Sequence, residues 1–120
     1  MTDIIAFVEA LGSLHDCTIT AVRWEPTSRR ITMDVGDIYS NFEGLPQYPG
    51  ARPGIFTFSG VSAVSLGISQ SAQRVSEFMI RREDVGYASE IMVWSGEKLK
   101  IRSADVTCDQ TLAPGISASV

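Results

Sequence analysis

The sequence predicts an α+β domain, with one short N-terminal helix and a mostly antiparallel β-sheet of about six strands, arranged as a sandwich or a partly open barrel. Two observations predict it. Apolar residues recur at helical spacing only near the N-terminus, and from residue 16 onward short strand-like segments are separated mostly by short turns. Strands and helices do not alternate along the chain, and this disfavours a parallel sheet.

The helix is predicted over residues 3–11. Ile4, Phe7, Val8 and Leu11 follow the spacing of one helical face. Thr2 or Asp3 can cap its beginning, and Gly12 is a typical C-terminal stop.

A β-hairpin is predicted over residues 16–36. Residues 16–24 are rich in Thr, Ile, Val and Trp, residues 26–29 supply a turn, and residues 30–36 alternate cleanly. The apolar positions of the first strand change face near Ala21, so either a bulge lies there or both faces are partly covered. The inward positions of the return strand are Ile31, Met33 and Val35.

The remaining strands follow the same pattern. Gly60 interrupts the first of them and is a candidate for a bulge or a close backbone approach. Residues 66–71 are small and polar and are expected to form a connection, and residues 83–86 suit a turn. The predicted strands are 55–65, 74–82, 89–94, 98–102 and a short one at 104–108.

Length and composition indicate one soluble domain. The chain has 120 residues, 44% hydrophobic and 20% charged, and we expect a globular domain over residues 1–109 followed by a flexible tail over 110–120. No apolar run approaches the ~18–20 residues of a membrane span. Asp3 and Glu9 do not fit a signal peptide, so we expect a cytoplasmic protein with reduced thiols. Whether Cys17 and Cys108 lie close together stays open.

The charge balance favours a basic partner over an acidic one. The chain carries 14 acidic and 10 basic residues, and residues 1–50 alone account for the net charge of −4. This balance argues against nucleic-acid binding, which needs a basic patch. An acidic half can attract a basic protein, but an ordinary solvated surface is the simpler explanation of this charge distribution.

His15, next to Asp16, is the only histidine in the chain. A neighbouring carboxylate can keep an imidazole useful as a general acid or base. The alternative is a structural histidine that bonds backbone at the helix–sheet junction. One histidine and two distant cysteines fit no metal site, so we expect neither a metal nor another cofactor.

The long irregular segment 37–54 is the other candidate for a site. Loops of more than ~12–15 residues in small domains are usually functional or mobile. This loop contains three aromatic residues, which favour partial packing over complete disorder. The candidate binding residues are His15, Asp16, Tyr39, Phe42, Tyr48 and Arg52, and we assign no catalytic residue.

Leu14-His15-Asp16 after a helix, followed by a strand that ends in Val22-Arg23-Trp24, resembles the start of several small bacterial β-rich families. In these families a Leu-His-Asp element opens a β-hairpin, and some are grouped with immunity proteins of polymorphic toxin systems. The likeness covers residues 4–36 and the strand near Phe58–Val61. It implies a compact antiparallel sheet, a structural His-Asp pair and no enzymatic activity.

These observations favour a bacterial-type, non-enzymatic protein-interaction module with an immunity-like role, which binds through its acidic face or the 37–54 loop. The alternative is a small-ligand-binding or enzymatic β-barrel with His15 and Asp16 at the mouth of its pocket. Its pocket would be lined by the large aromatic residues Trp24, Phe56, Phe58 and Trp94. A homodimer built through a sheet edge is compatible with either.

Overall fold

The computed structural model describes residues 3–42, 44–46, 48, 50, 52–67, 73–113 and 116–119, with side chains described up to residue 109. Helix α1 spans Ile4–Ala10 and a 3-10 helix follows at Gly12–Leu14. Asp3 caps α1, because its Oδ1 accepts a hydrogen bond from the Ile5 amide at 3.2 Å. The helix buries Ile4 and Val8, so its apolar face packs on the sheet as its spacing predicts.

Nine strands in the described residues form one sheet in which every pair is antiparallel. Their order across the sheet is β4-β7-β6-β5-β1-β2-β3-β8-β9, so the sheet is open, with β4 and β9 at its edges. A second 3-10 helix, Ser40–Phe42, lies between β2 and β3. The strands are β1 Thr18–Glu25, β2 Arg30–Val35, β3 Gly54–Ser59, β4 Ala63–Leu66, β5 Gln73–Arg82, β6 Tyr87–Val93, β7 Lys98–Ser103, β8 Asp105–Ala113 and β9 Ile116–Ser119.

The sheet consists of two halves that are joined at one narrow place. Strands β1, β2, β3, β8 and β9 form the first half and β4 to β7 form the second. The halves connect where β1 pairs with β5 through Thr18–Arg74 and Ile19–Gln73. Their inner faces pack together, since the ring of Phe78 on β5 lies 5.3 Å from Phe56 and 6.4 Å from Phe58 on β3. The core therefore lies between two facing layers.

The predicted α+β class is confirmed, and so is the hairpin formed by β1 and β2. Ile31, Met33 and Val35 are buried as the alternation predicts. The pairing of β1 with β2 shifts register between Ile19 and Ala21. This bulge accounts for the change of apolar face near Ala21.

The sheet has more strands than predicted because the segment 55–65 divides at Gly60. Gly60 has a φ of +62°, and a Cβ there would lie 2.8 Å from the Cβ of Ala104. After this close approach the Val61 amide bonds Arg29 O in the first half, and the Ser62 amide bonds Arg102 O in the second. The chain thus crosses between the halves within a few residues.

The last part of the chain adds the remaining strands. β8 extends to Ala113 and pairs with β9, although the sequence predicts only a short strand and a flexible tail over 110–120. The side chains of that tail lie outside the described residues, and its flexibility and the domain boundary at 109 stay predictions. The predicted connection 66–71 lies mostly outside the described residues as well.

Candidate functional site

The junction between α1 and β1 has an unusual backbone. Ser13, Leu14 and Asp16 have positive φ values of 56°, 56° and 69°. Asp tolerates this region, but a leucine there is a true outlier. Leu14 is fully buried, and the Asp16 amide donates to Val75 O at 2.9 Å, so packing and pairing with β5 hold the strained turn in place. Such strain tends to cluster at functional sites.

His15 and Asp16 meet Trp94, which follows β6 at the start of the β6–β7 turn. The His15 and Trp94 rings meet edge to face, with centroids 5.3 Å apart and an interplanar angle of 68°. The indole Nε1 of Trp94 donates to Asp16 Oδ1 at 3.3 Å, and His15 Nε2 lies 3.7 Å from Asp16 Oδ2. We call these three residues the Trp94 cluster. Its members come from both halves of the molecule.

The Trp94 cluster is open to solvent. Trp94 is 57% exposed, and the side chains of His15 and Asp16 are 43% and 49% exposed. These half-exposed aromatic and polar groups contact one another and form one surface feature. They do not form a secluded reaction site, because solvent reaches all three.

The imidazole of His15 is also tied to the backbone of the neighbouring half. Its Nδ1 lies 2.9 Å from Ser76 O on β5. A carbonyl oxygen can only accept, so Nδ1 is the donor and carries the proton. This contact fits the structural role for His15, and it also orients the ring that supports Trp94.

The 37–54 loop packs against the junction through two polar side chains. Ser40 Oγ donates to His15 O at 3.0 Å, and Asn41 Nδ2 donates to Leu11 O at 2.8 Å. Both lie in the second 3-10 helix, so this helix is fixed beside the Trp94 cluster. Tyr39 and Phe42 flank these residues, with ring centroids 5.9 Å apart.

The two remaining predicted site residues help to close the loop. The Tyr48 hydroxyl donates to Asp37 Oδ2 at 3.0 Å, and Asp37 Oδ1 accepts from the Tyr39 amide at 2.9 Å. Arg52 O accepts from the Ile38 amide at 3.1 Å. The structure therefore places His15 and Asp16 in one contact group and Tyr39 with Phe42 in an adjacent one, and it ties Tyr48 and Arg52 to the base of the loop.

Trp94 is the site residue that is missing from the predicted set, and only the alternative β-barrel interpretation considered it, as a pocket-lining residue. Val93 is buried, and the residue after it in an extended chain faces the opposite side, so Trp94 is exposed. Phe56 and Phe58, which the same alternative placed in the pocket lining, are fully buried core residues. The contact between Trp94 and Asp16 depends on pairing that is remote in sequence, and no local pattern indicates it.

A cavity of about 870 Å³ lies between α1 and strands β4 to β7. Its lining includes Ile5, Val8, Phe78 and Ser89, but neither His15 nor Asp16. Trp24, Phe56, Phe58 and Trp94 do not line it either. The cavity and the Trp94 cluster are therefore separate features.

Both cysteines are buried and free. Burial raises the pKa of the Cys17 thiol, and hydrogen bonding with the side chain and the backbone of Ser40 opposes part of that rise. Burial raises the pKa of Cys108 to about 12. Both thiols are therefore protonated near neutral pH and poor nucleophiles.

The described part of the chain contains no group of three or more His, Cys, Asp or Glu residues placed to hold a metal ion. Among the helices of the described residues, none is long and apolar enough to cross a membrane.

Comparison with protein-family models, with curated proteins and with solved structures found no match. The resemblance over residues 4–36 to immunity-like families stays a prediction.

Proposed function

We propose that this protein is a protein-binding module whose contact surface centres on the Trp94 cluster. The observation that carries the proposal is an indole that is 57% exposed and yet fixed on two sides, by the His15 ring and by the Asp16 carboxylate. Tryptophan is enriched among the residues that dominate binding energy at interfaces. An anchor that is already held in position loses little conformational entropy when a partner binds.

The charge at the cluster favours a basic partner. Asp16 stands beside the indole and is half-exposed, and it has no described contact with Lys or Arg. An arginine or lysine of the partner can lie over the indole face and pair with this carboxylate at the same time.

The 3-10 helix Ser40–Phe42 extends the proposed surface. Ser40 bonds the carbonyl of His15, so Tyr39 and Phe42 lie on a segment fixed to the junction. An immunity-like role is one form of this proposal, with a basic toxin surface as the partner. It rests on the resemblance in residues 4–36, and the contact surface would be the same.

A homodimer through a sheet edge has less support. The edge strands β4 and β9 are four residues long, and short edge strands are a common way in which native sheets avoid edge pairing. An enzymatic role for His15 and Asp16 also has less support, because both are open to solvent and neither lines the cavity.

The proposal is tested by affinity capture from a cytosolic extract of the cells that express the protein, followed by measurement with the purified partner. We compare the wild type with Trp94→Ala and with Leu66→Ala, a matched control because Leu66 is 48% exposed on β4. We expect Trp94→Ala to weaken binding at least about 30-fold, the loss that corresponds to an interface residue worth ~2 kcal/mol. Leu66→Ala should bind like the wild type.

Asp16→Asn tests the sign of the charge. A basic partner should lose affinity, and its binding to the wild type should weaken as salt is added. A partner that binds Trp94→Ala as tightly as the wild type would overturn the proposed surface. Stronger binding by Asp16→Asn would overturn the basic partner.

A further inference from the structure

Two hydrogen-bond acceptors of the Trp94 cluster lie side by side. The Nδ1 of His15 carries the ring proton and donates to Ser76 O at 2.9 Å, so Nε2 of the neutral imidazole is an acceptor. Asp16 Oδ2 also only accepts, and it lies 3.7 Å from this Nε2, too far for a hydrogen bond between them. We call His15 Nε2 and Asp16 Oδ2 the acceptor pair.

Both atoms of the acceptor pair are accessible to a group from outside. Among the described residues no donor contacts either atom, because the indole Nε1 of Trp94 donates to the other carboxylate oxygen, Asp16 Oδ1. The side chains of His15 and Asp16 are both close to half-exposed. A partner that reaches the indole therefore also reaches two acceptors that the described part of the chain leaves unused.

Contacts with the second half of the sheet orient the acceptor pair before any partner binds. The Asp16 amide donates to Val75 O at 2.9 Å, and the indole of Trp94 donates to the Asp16 carboxylate. The carbonyl of Ser76 accepts from the His15 ring and sets the direction in which Nε2 points. Groups that are oriented in advance lose less conformational entropy on binding than free side chains do.

The acceptor pair and the indole together define the group that fits them. Two acceptors, one of them a carboxylate, call for a cation with several donors, and a structural or catalytic zinc site needs at least three protein ligands rather than two. An arginine guanidinium carries five N–H donors in a flat, rigid fork, and its face stacks well on aromatic rings. A lysine ammonium is a compact, strongly hydrated point charge and stacks less well. The exposed indole beside the acceptor pair therefore favours arginine.

We propose that the Trp94 cluster recognises an arginine side chain of its protein partner, whose guanidinium donates to His15 Nε2 and Asp16 Oδ2 together and contacts the Trp94 indole. This inference rests on the proposed protein-binding function, and it adds the residue type that the partner presents. It also gives His15 a direct role as an acceptor, besides its contacts with Ser76 and Trp94.

The experiment titrates the full chain with two probes of equal charge, acetyl-Gly-Arg-Gly-amide and acetyl-Gly-Lys-Gly-amide. The titrations are run at pH 8, where histidine side chains are ordinarily neutral. The NMR resonance of the Trp94 indole N–H follows binding, and Trp94→Phe distinguishes it from that of Trp24, the other tryptophan. We expect the dissociation constant of the arginine probe to be at least about threefold below that of the lysine probe, the effect of one added hydrogen bond.

Two variants of His15 separate its acceptor from its structural contacts. His15→Asn keeps an N–H donor as many bonds from the backbone as Nδ1, but it has no atom at the place of Nε2. His15→Gln is the matched control, because its amide reaches as far as Nε2 and again offers an acceptor, while both variants lose the ring that meets Trp94. His15→Asn should weaken binding of the arginine probe about three- to tenfold, and His15→Gln should weaken it less.

A measurement on the wild type tests the acceptor itself and does not depend on the folding of a variant. Long-range ¹H–¹⁵N NMR spectra at pH 8 report which ring nitrogen of His15 carries the proton, and we expect Nδ1. The inference is overturned by a proton on Nε2, by equal binding of the two probes, or by equal binding of the arginine probe to His15→Asn and His15→Gln. None of these results bears on the loss of partner binding in Trp94→Ala, so the protein-binding proposal stands or fails separately.

Discussion

Gly86 and Gly96 form a matched pair that tests how closely the strand ends pack. Gly86 ends the β5–β6 turn with a φ of +90°, and Gly96 lies in the β6–β7 turn with a φ of +92°. A Cβ on Gly86 would lie well inside contact distance of Ser103 O and 2.9 Å from the Cα of Ala104. A Cβ on Gly96 would meet nothing within 4 Å. The two sites therefore share their backbone strain and differ in space.

We expect Gly96→Ala to lower the free energy of unfolding by about 1–2 kcal/mol, the cost of placing an L-residue in the left-handed region. Gly86→Ala carries the same cost and must also displace backbone atoms of Ser103 and Ala104. Overpacking of this kind adds about 1–3 kcal/mol. The loss for Gly86→Ala should therefore exceed the loss for Gly96→Ala by that amount.

Equilibrium unfolding in urea measures both losses. Far-UV circular dichroism is the suitable signal, because Gly96 lies two residues from Trp94 and a substitution there changes the fluorescence directly. The slope of the free energy of unfolding against urea concentration should be the same in both variants and in the wild type. Losses equal within about 0.5 kcal/mol would refute the packing of Gly86 against the chain at Ser103 and Ala104.

Three further predictions concern the core. Phe78→Ala should lower the free energy of unfolding by about 3–5 kcal/mol, because it removes the ring that packs between the two halves. A loss below about 1 kcal/mol in urea unfolding would contradict the face-to-face packing of the halves. Ser103→Ala should leave stability unchanged or raise it, since it removes a buried hydroxyl that has no hydrogen-bond partner among the described residues, and a fall in the thermal midpoint would reveal a hydrogen bond. The pKa of Cys108 is raised from 9.0 to about 12 on folding. The unfolded thiol therefore loses its proton first, and stability should fall by about 1.4 kcal/mol per pH unit between these values. Urea unfolding at a series of alkaline pH values measures the free energy of unfolding as a function of pH. Cys108→Ala should remove this fall in the free energy of unfolding. If the variant shows the same fall with pH as the wild type, the thiol is not buried as described.

The parts of the fold that depend on neighbouring residues were predictable from the sequence. The alternation over residues 30–36 identified the buried face of β2, and the change of face near Ala21 indicated either a bulge or two partly covered faces, of which the structure shows the bulge. The helix could be located because its apolar spacing and its Asp3 cap are local signals. Such features depend on period and turn chemistry, and both can be read from a single segment.

The strand order was not predictable in the same way. β1 lies between β2 and β5, and β3 pairs with β8 across much of the chain. The local sequence pattern of a strand does not indicate which other strand pairs with it. The division of 55–65 into β3 and β4 also depends on the close approach of Gly60 to Ala104, which is a contact between distant segments.

The candidate site shows the same division. His15 and Asp16 could be identified because the only histidine stands at the helix–sheet junction. Their contact with Trp94 could not, because it needs the register of β5 and β6 against β1.

The narrow join between the two halves also sets an order of events in folding. The hairpins β1–β2, β5–β6 and β6–β7 close across short turns, and such hairpins form within about 1–10 microseconds. Pairing of Ile19 with Gln73 must bring together ends separated by a long stretch of chain, so docking of the halves is the slower event. Trp94 meets His15 and Asp16 only when that docking is complete. The indole that we propose as the binding anchor is thus also a natural reporter of the docking of the two halves.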